Sequence, residues 1–234
     1  MNPAGRGLGC DDPKSDAIGF VLAGGQSSRM GRDKTLLEFG GRPLVAHALD
    51  LFQEAGIKAM IAGAASSGRA SLEAFAPVIE DASPGLGPLS GICAALSVTS
   101  ARYAVFLPVD LPLLPASLLV YLLRSARITG SAVTVCSVSG FTQTFPAVLD
   151  RDAFPELQNE LGSQRYGCFS AFQVASAAAG QSISSVAVEL LAQAGQVSDP
   201  RCLPPARWFL NLNTPGDLAR AGELQYMIRG RCIA

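Results

Sequence analysis

Short apolar runs separated by longer segments of helical spacing are what most constrain the fold of this chain. The runs are "IGFVLA" (18–23), "IKAMIAG" (57–63), "PVIED" (77–81), "YAVFLPV" (103–109), "SAVTVCSV" (131–138), "TFPAVL" (144–149) and "RWFLNL" (207–212). Each is of strand length and several are rich in β-branched residues. Between them, apolar residues recur at three- and four-residue spacing over 43–55, 88–98, 115–127, 183–194 and 215–228, which predicts helices. Strands apolar throughout and alternating with helices imply an α/β fold with a largely parallel sheet buried on both faces. The segment 159–182, rich in Gly, Ser and Ala, fits neither period, and there is no internal repeat.

With 234 residues, 49% of them hydrophobic, and a mean hydropathy of +0.30, the chain can bury one substantial core. A formal net charge of -1 and a pI near 5.8 provide no general field for nucleic acid or an anionic membrane, so an anionic ligand must be held by local groups. The six cysteines are widely spaced without a CxxC pair, and His47 is the single histidine. That spacing argues against a zinc site and for thiols in a reducing compartment. Residues 1–16 carry Asp11, Asp12 and Asp16 and no apolar core, and are expected to be a disordered tail rather than a signal or anchor, with one domain over 17–229. "LPLLPASLLVYLL" is too short and proline-rich to span a bilayer, and a cytoplasmic protein is expected.

In open α/β sheets ligands gather at the carboxyl ends of the strands, and four polar clusters fall there. "GGQSSRMGRDK" (24–34) follows the first strand. Its glycines let successive N–H groups converge on an anion, and Arg29 and Lys34 supply positive charge. The segment matches neither GxxxxGK[ST] nor GxGxxG, so a polyphosphate cradle and a solvated turn both stay open on these residues alone. "EDASPGLGPLSGI" (80–92) ends a strand at Asp81 and leads through Gly85, Gly87 and Pro88 into a helix, whose free N–H groups suit a phosphate or sugar hydroxyl as well as an ordinary capped turn. In "FLPVDLPLL" (106–114), Asp110 closes a strongly apolar strand, where a lone carboxylate suits Mg2+ completed by phosphate and water, or caps the next helix. In "FLNLNTPGDLARA" (209–221), Thr214, Pro215 and Asp217 read as a helix start. Asn211 and Asn213, two apart, share a face and offer amide oxygens to a cation or ligand.

The ordered motifs "LAGGQSSRMGRDK" (22–34), "GPLSGI" (87–92), "PVDLPLL" (108–114) and "NLNTPGDLA" (211–219) resemble those of the MobA-like nucleotidyltransferases, over about residues 18–222. The resemblance implies a three-layer, Rossmann-like (GT-A-like) domain with a mostly parallel mixed sheet. It also implies Mg2+-dependent transfer of a nucleoside monophosphate from an NTP to a phosphorylated acceptor, with release of pyrophosphate. Carried over by position, it places Leu22, Ala23, Gly24, Gly25, Ser27, Ser28, Lys34, Asp81, Gly87 and Asp110 at the nucleotide. Arg29, Lys34 and Asp110 would be the catalytic group, Asp110 and Asn213 would hold the metal, and Gln143, Asn211 and Asn213 would face the acceptor.

"LAGG" is similar to guanine-using members and "LAAG" to cytosine-using ones, so GTP is the expected donor and molybdenum-bound molybdopterin the expected acceptor. Against this, guanine-using relatives often carry an asparagine after the second long strand, where this chain has Gly63. Cytidylyl transfer, nucleotidyl transfer to a sugar or polyol phosphate, and a non-catalytic nucleotide-binding partner of a molybdoenzyme or its chaperone are the alternatives. Arg165, in "LGSQRYG", is either a contact for the acceptor phosphate or an exposed loop residue.

Overall fold

The structure, a computed structural model, describes residues 16–23, 34–64, 68–81, 83, 85–214, 216, 217 and 221. In chain order these form β1 (Ala17–Leu22), β2 (Glu38–Phe39), β3 (Arg42–Pro43), α1 (Leu44–Glu54), β4 (Ala59–Ala64), α2 (Arg69–Leu72), β5 (Val78–Glu80) and α3 (Pro88–Val98). There follow β6 (Tyr103–Pro108), α4 (Ala116–Thr129), β7 (Val133–Val138), β8 (Phe141–Asp150), α5 (Phe154–Gly162), α6 (Cys168–Ala178), β9 (Ser184–Ala187), α7 (Val188–Gln193) and α8 (Pro205–Trp208).

Seven strands make one sheet in the order β5-β4-β1-β6-β8-β7-β9, parallel except at β8, which is antiparallel to both β6 and β7. The side chains of β1 alternate between two cores, as the strand period requires. Ala17 and Val21 pack with α1 and α4, whereas Phe20 and Leu22 pack with α3, α5 and α6. The result is the expected three layers with a mostly parallel mixed sheet. Phe20 and Phe106, opposite each other in the β1–β6 register, stack at 5.3 Å on the second face. On the first face, Gly19 leaves room for the buried ring of Phe52, since a Cβ there would lie 2.5 Å from two ring carbons.

After β1 the chain passes through α1 to β4 on one side of β1, whereas after β6 it passes through α4 to β7 on the other side. The adjacent strands β1 and β6 therefore form a topological switch point, and the crevice at their carboxyl ends is where such sheets bind ligands. The segment entering α1 is a tight β2–β3 hairpin whose loop residues Gly40 and Gly41 have φ of 59° and 79°. Both angles are the positive ones a two-residue hairpin loop needs. His47 Nε2 bonds the Phe39 carbonyl at 2.8 Å, which ties α1 to that hairpin and commits the single histidine to a structural bond.

Several expectations shift. The run 207–212 is not a strand: 205–208 form α8, and 209–213 continue irregularly because Trp208 is buried in the core with its indole N–H on the Leu203 carbonyl. The helix expected over 183–194 splits into edge strand β9 and α7, since Ser184–Ala187 pair with β7 instead of closing a helical turn. The unassigned 159–182 stretch contains the end of α5 and all of α6. Asp110 does not cap α4, which starts at Ala116 after Pro115. The tail 1–15 and most of the helix expected over 215–228 lie outside the described residues. Among the described residues no helix is long and apolar enough to cross a membrane.

Replacing Gly19 with Ala is expected to destabilise the fold by about 1–3 kcal/mol through overpacking against Phe52. Shrinking the ring in the double variant Gly19→Ala/Phe52→Leu should recover part of that loss, read as less-than-additive shifts in urea midpoints. Burial pushes the Cys93 thiol up to about 11 and the Cys136 and Cys168 thiols up to about 12, so all three are protonated at pH 8. Peptide mapping after iodoacetamide at pH 8 should find the exposed Cys202 alkylated and those three spared in the folded protein.

Candidate active site

Three side chains from distant parts of the sequence meet at the carboxyl ends of β1 and β6. Lys34 Nζ donates to Asp110 Oδ2 at 2.8 Å and to Asn213 Oδ1 at 2.5 Å. Lys34 opens the 3-10 turn Lys34–Leu36 after the β1 loop, and Asp110 lies just past the end of β6. The Lys34 and Asp110 side chains are only 19% and 20% exposed, which leaves their attraction partly unscreened. Asn213 is brought in by two devices. The Leu212 N–H donates to the Asp110 carbonyl at 3.0 Å, and buried Leu212 anchors the segment in the core. Just beyond, Asp217 Oδ2 accepts from the N–H groups of Asn213 and Thr214 and from the Thr214 hydroxyl, while the Asp217 N–H donates back to Thr214 Oγ1. This reciprocal box is the helix start expected from "NTPGD". Asn211 and Asn213 are both exposed on either side of Leu212, so their alternation survives without a strand, but Asn213 is the one that reaches the lysine.

Asp110 Oδ1 is buried and has no hydrogen-bond partner among the described residues. A buried carboxylate oxygen without a donor carries a desolvation penalty that a cation would remove. The described residues contain no group of three or more His, Cys, Asp or Glu able to hold a metal alone. That combination fits Mg2+, which takes one or two protein oxygens and draws its other ligands from phosphate and water.

On the neighbouring side, Asp81 follows β5 and is buried. Its Oδ1 accepts from the Ser83 N–H at 2.9 Å and from the Ser90 hydroxyl, which braces the turn leading into α3. Gly87, with φ of 87°, immediately precedes the first residue of α3. Gly63, where an asparagine was the alternative, has φ of 81° at a register shift between β4 and β5. A Cβ on Gly91 of α3 would lie 3.0 Å from the Gly63 Cα, so position 63 serves a close strand–helix approach.

Leu22 is buried at the end of β1, and half-buried Ala23 donates its N–H to the Ala62 carbonyl at 2.9 Å. Gly24, Gly25, Ser27, Ser28 and Arg29 lie outside the described residues. Gln143 stands on β8, with its side-chain amide on the Phe141 carbonyl at 3.0 Å. The adjacent Thr142 lines an open, uncharged cavity of about 400 Å3 with Phe169 and Gln173 of α6 and Ser182, Ile183 and Ser185 beside β9. Arg165 is held by Glu160 through both Nε and Nη2, and this bond keeps the Glu160 carboxyl below its usual range. The Arg165 charge is thus used at the end of α5, a partnership that sequence reading missed although the residues are five apart.

The MobA-like NTP transferase domain family matches residues 19–178. The molybdenum cofactor guanylyltransferase of Vibrio atlanticus is 30% identical over 210 residues, covering 88% of this chain and 95% of that protein. The enzyme of the same name from Xanthomonas euvesicatoria is 42% identical over 110 residues, 47% of this chain and about half (54%) of that relative. Among solved structures, molybdopterin-guanine dinucleotide biosynthesis protein A from Archaeoglobus fulgidus superposes with a TM-score of 0.72 at 21% identity, covering 90% of this chain and 99% of that one. The 2-C-methyl-D-erythritol 4-phosphate cytidylyltransferase of Thermus thermophilus shares the fold at a TM-score of 0.60 and 16% identity, over 88% and 98% of the two chains. With the lysine, aspartate and asparagine motifs in one crevice and the family match over most of its length, the chain belongs to the MobA-like NTP transferases and is a nucleotidyltransferase.

Proposed function

We propose that this protein transfers GMP from GTP to molybdenum-bound molybdopterin, with Mg2+ as the metal. The observation that carries the reading is the Lys34–Asp110–Asn213 group, whose second carboxylate oxygen has no partner among the described residues, at the carboxyl ends of β1 and β6. The donor and acceptor identities follow the names of the relatives and the "LAGG" motif.

An oxygen of the acceptor phosphate forms the new bond to the α-phosphorus while the α–β phosphoanhydride bond breaks, and its electron pair leaves on pyrophosphate. Both partners are anionic, so positioning and charge neutralisation dominate the barrier. Asp110 and Asn213 would hold Mg2+, which would supply charge neutralisation at the phosphates. Lys34, already poised between Asp110 and Asn213, exchanges part of its hydrogen bonding to a phosphate oxygen when the nucleotide arrives. Gly25, Ser27, Ser28 and Arg29 would surround the triphosphate, and Leu22, Ala23, Gly24, Asp81 and Gly87 would meet the nucleoside. No protein base is required, because a phosphate nucleophile is ionised near neutral pH, and His47 is occupied with the Phe39 carbonyl.

Gln143 and Asn211 face the acceptor. A molybdoenzyme or its chaperone would receive the product in the cytoplasm. Gly63 is committed to packing, so the base is read by backbone groups or by residues elsewhere.

Calorimetry with GTP, CTP, ATP and UTP, each with Mg2+, should show preference for GTP. Preference for CTP or ATP moves the protein to another branch, and binding without pyrophosphate release in the presence of acceptor makes it a non-catalytic partner. Asp110→Asn should lower kcat for pyrophosphate release by at least about 100-fold with the circular dichroism spectrum unchanged. Retained turnover removes Asp110 from the metal. Lys34→Ala should raise the KM for GTP by roughly tenfold or more, the loss of one charge-assisted hydrogen bond. An unchanged KM and kcat takes Lys34 out of the site.

A further inference from the structure

The six residues after β6 form an irregular segment, Val109–Leu114, buried except at its second residue, the half-buried Asp110. Backbone carbonyls in such a segment need donors from outside any helix or strand ladder. Three of them find one guanidinium. Arg201 Nη1 donates to the Pro112 carbonyl at 3.3 Å, and Nη2 donates to those of Leu113 and Leu114 at 2.5 and 3.2 Å. The remaining donor, Nε, bonds Asp199 Oδ1 at 2.8 Å. The Asp199 side chain is 1% exposed, and it also accepts from the N–H groups of Arg201 and Leu203. Next to this contact, Ser117 at the start of α4 and Ser198 exchange hydrogen bonds, Oγ to carbonyl at 2.7 Å and N–H to Oγ at 3.2 Å.

The same stretch of chain then runs through α8, where Trp208 is buried, and returns to the far end of the segment, where the Leu212 N–H meets the Asp110 carbonyl. The strand-end segment is thus gripped at both ends by one continuous strap, residues 198–212. One grip is the Leu212 bond at Asp110 itself and the other is the Arg201 fork.

We propose that Arg201, anchored by Asp199, is a positioning residue for the nucleotidyl-transfer site: by holding the Pro112, Leu113 and Leu114 carbonyls it fixes the direction in which Asp110 presents its buried Oδ1. The inference rests on the reading of Asp110 given above. A fork of planar donors is needed, because a lysine ammonium can satisfy Asp199 or a carbonyl but cannot span the set.

The test uses the full chain with GTP, and Mn2+ as a paramagnetic probe of the metal position, followed by electron paramagnetic resonance, together with steady-state kinetics. Arg201→Lys keeps a cation beside Asp199. The double variant Asp199→Asn/Arg201→Gln keeps hydrogen bonding and leaves no unpaired charge, which guards against simple unfolding. Both are expected to bind Mn2+ about tenfold more weakly in the presence of GTP and to lose about tenfold in kcat, with the KM for GTP within about twofold, as misplacement of a reacting group requires. Leu157→Ala, in the core beneath α5 on the opposite face, destabilises the protein without touching the strap and should leave Mn2+ binding unchanged. Wild-type Mn2+ binding in both Arg201 variants, or equal weakening in Leu157→Ala, overturns the inference. Loss of Mn2+ in Asp110→Asn alongside unchanged Arg201 variants overturns it alone, whereas unchanged Mn2+ in Asp110→Asn overturns the metal reading as well.

Discussion

The pairing of β1 with β6 sets everything that follows. Six consecutive register pairs, from Ala17↔Tyr103 to Leu22↔Pro108, lock two strands that lie far apart in the sequence. The register decides that the loop after Leu22 and the carboxylate after Pro108 emerge side by side. Because side chains alternate with period two, a slip of β1 by one residue would turn Phe20 away from α3, part it from Phe106 and put the site-facing strand ends out of step. The stacked rings and the tight fit of Phe52 over Gly19 hold the pairing from opposite faces, so the crevice geometry is a by-product of core packing.

Within that crevice the charges arrive nearly balanced. Lys34 neutralises one oxygen of Asp110, and the other oxygen is buried without a donor among the described residues. A fold optimised for stability alone would supply a donor or expose the atom. Retaining it is the kind of local cost that concentrates at functional sites, and the fold meets it with bracing nearby. The Thr214–Asp217 box, the Leu212 bond and the Asp81–Ser90 bond each immobilise a segment that borders the crevice.

Much of this was legible in the sequence, for identifiable reasons. Strands such as 103–109 and helices such as 88–98 carry uninterrupted apolar patterns, and the structure has them within a residue or two. The capping box was readable because it is local, with Thr214 and Asp217 three residues apart. What was not readable depends on partners far along the chain. "RWFLNL" has strand composition, yet its first two residues end the single turn α8, with Trp208 buried, and the rest is irregular. The serines of β9 read as helix because their strand state comes from pairing with β7. The meeting of Lys34 with Asp110 and Asn213 spans 76 and 179 residues and could be inferred only from a family resemblance, whereas Arg201 belongs to no motif and was invisible without coordinates.

Gly63 and Gly91 have a bearing on how such enzymes diversify. A Cβ on Gly91 would press on the Gly63 Cα at 3.0 Å, and Gly63 holds a φ of 81°, so a side chain at position 91 requires β4 and α3 to give by a few tenths of an ångström and one at position 63 strains the backbone. The start of that helix, at Gly87 and Pro88, is where the proposed function seats the nucleoside. On that reading, a change at this contact alters the spacing between strand and helix beside the base, coupling substrate choice to backbone packing as well as to any single recognition residue.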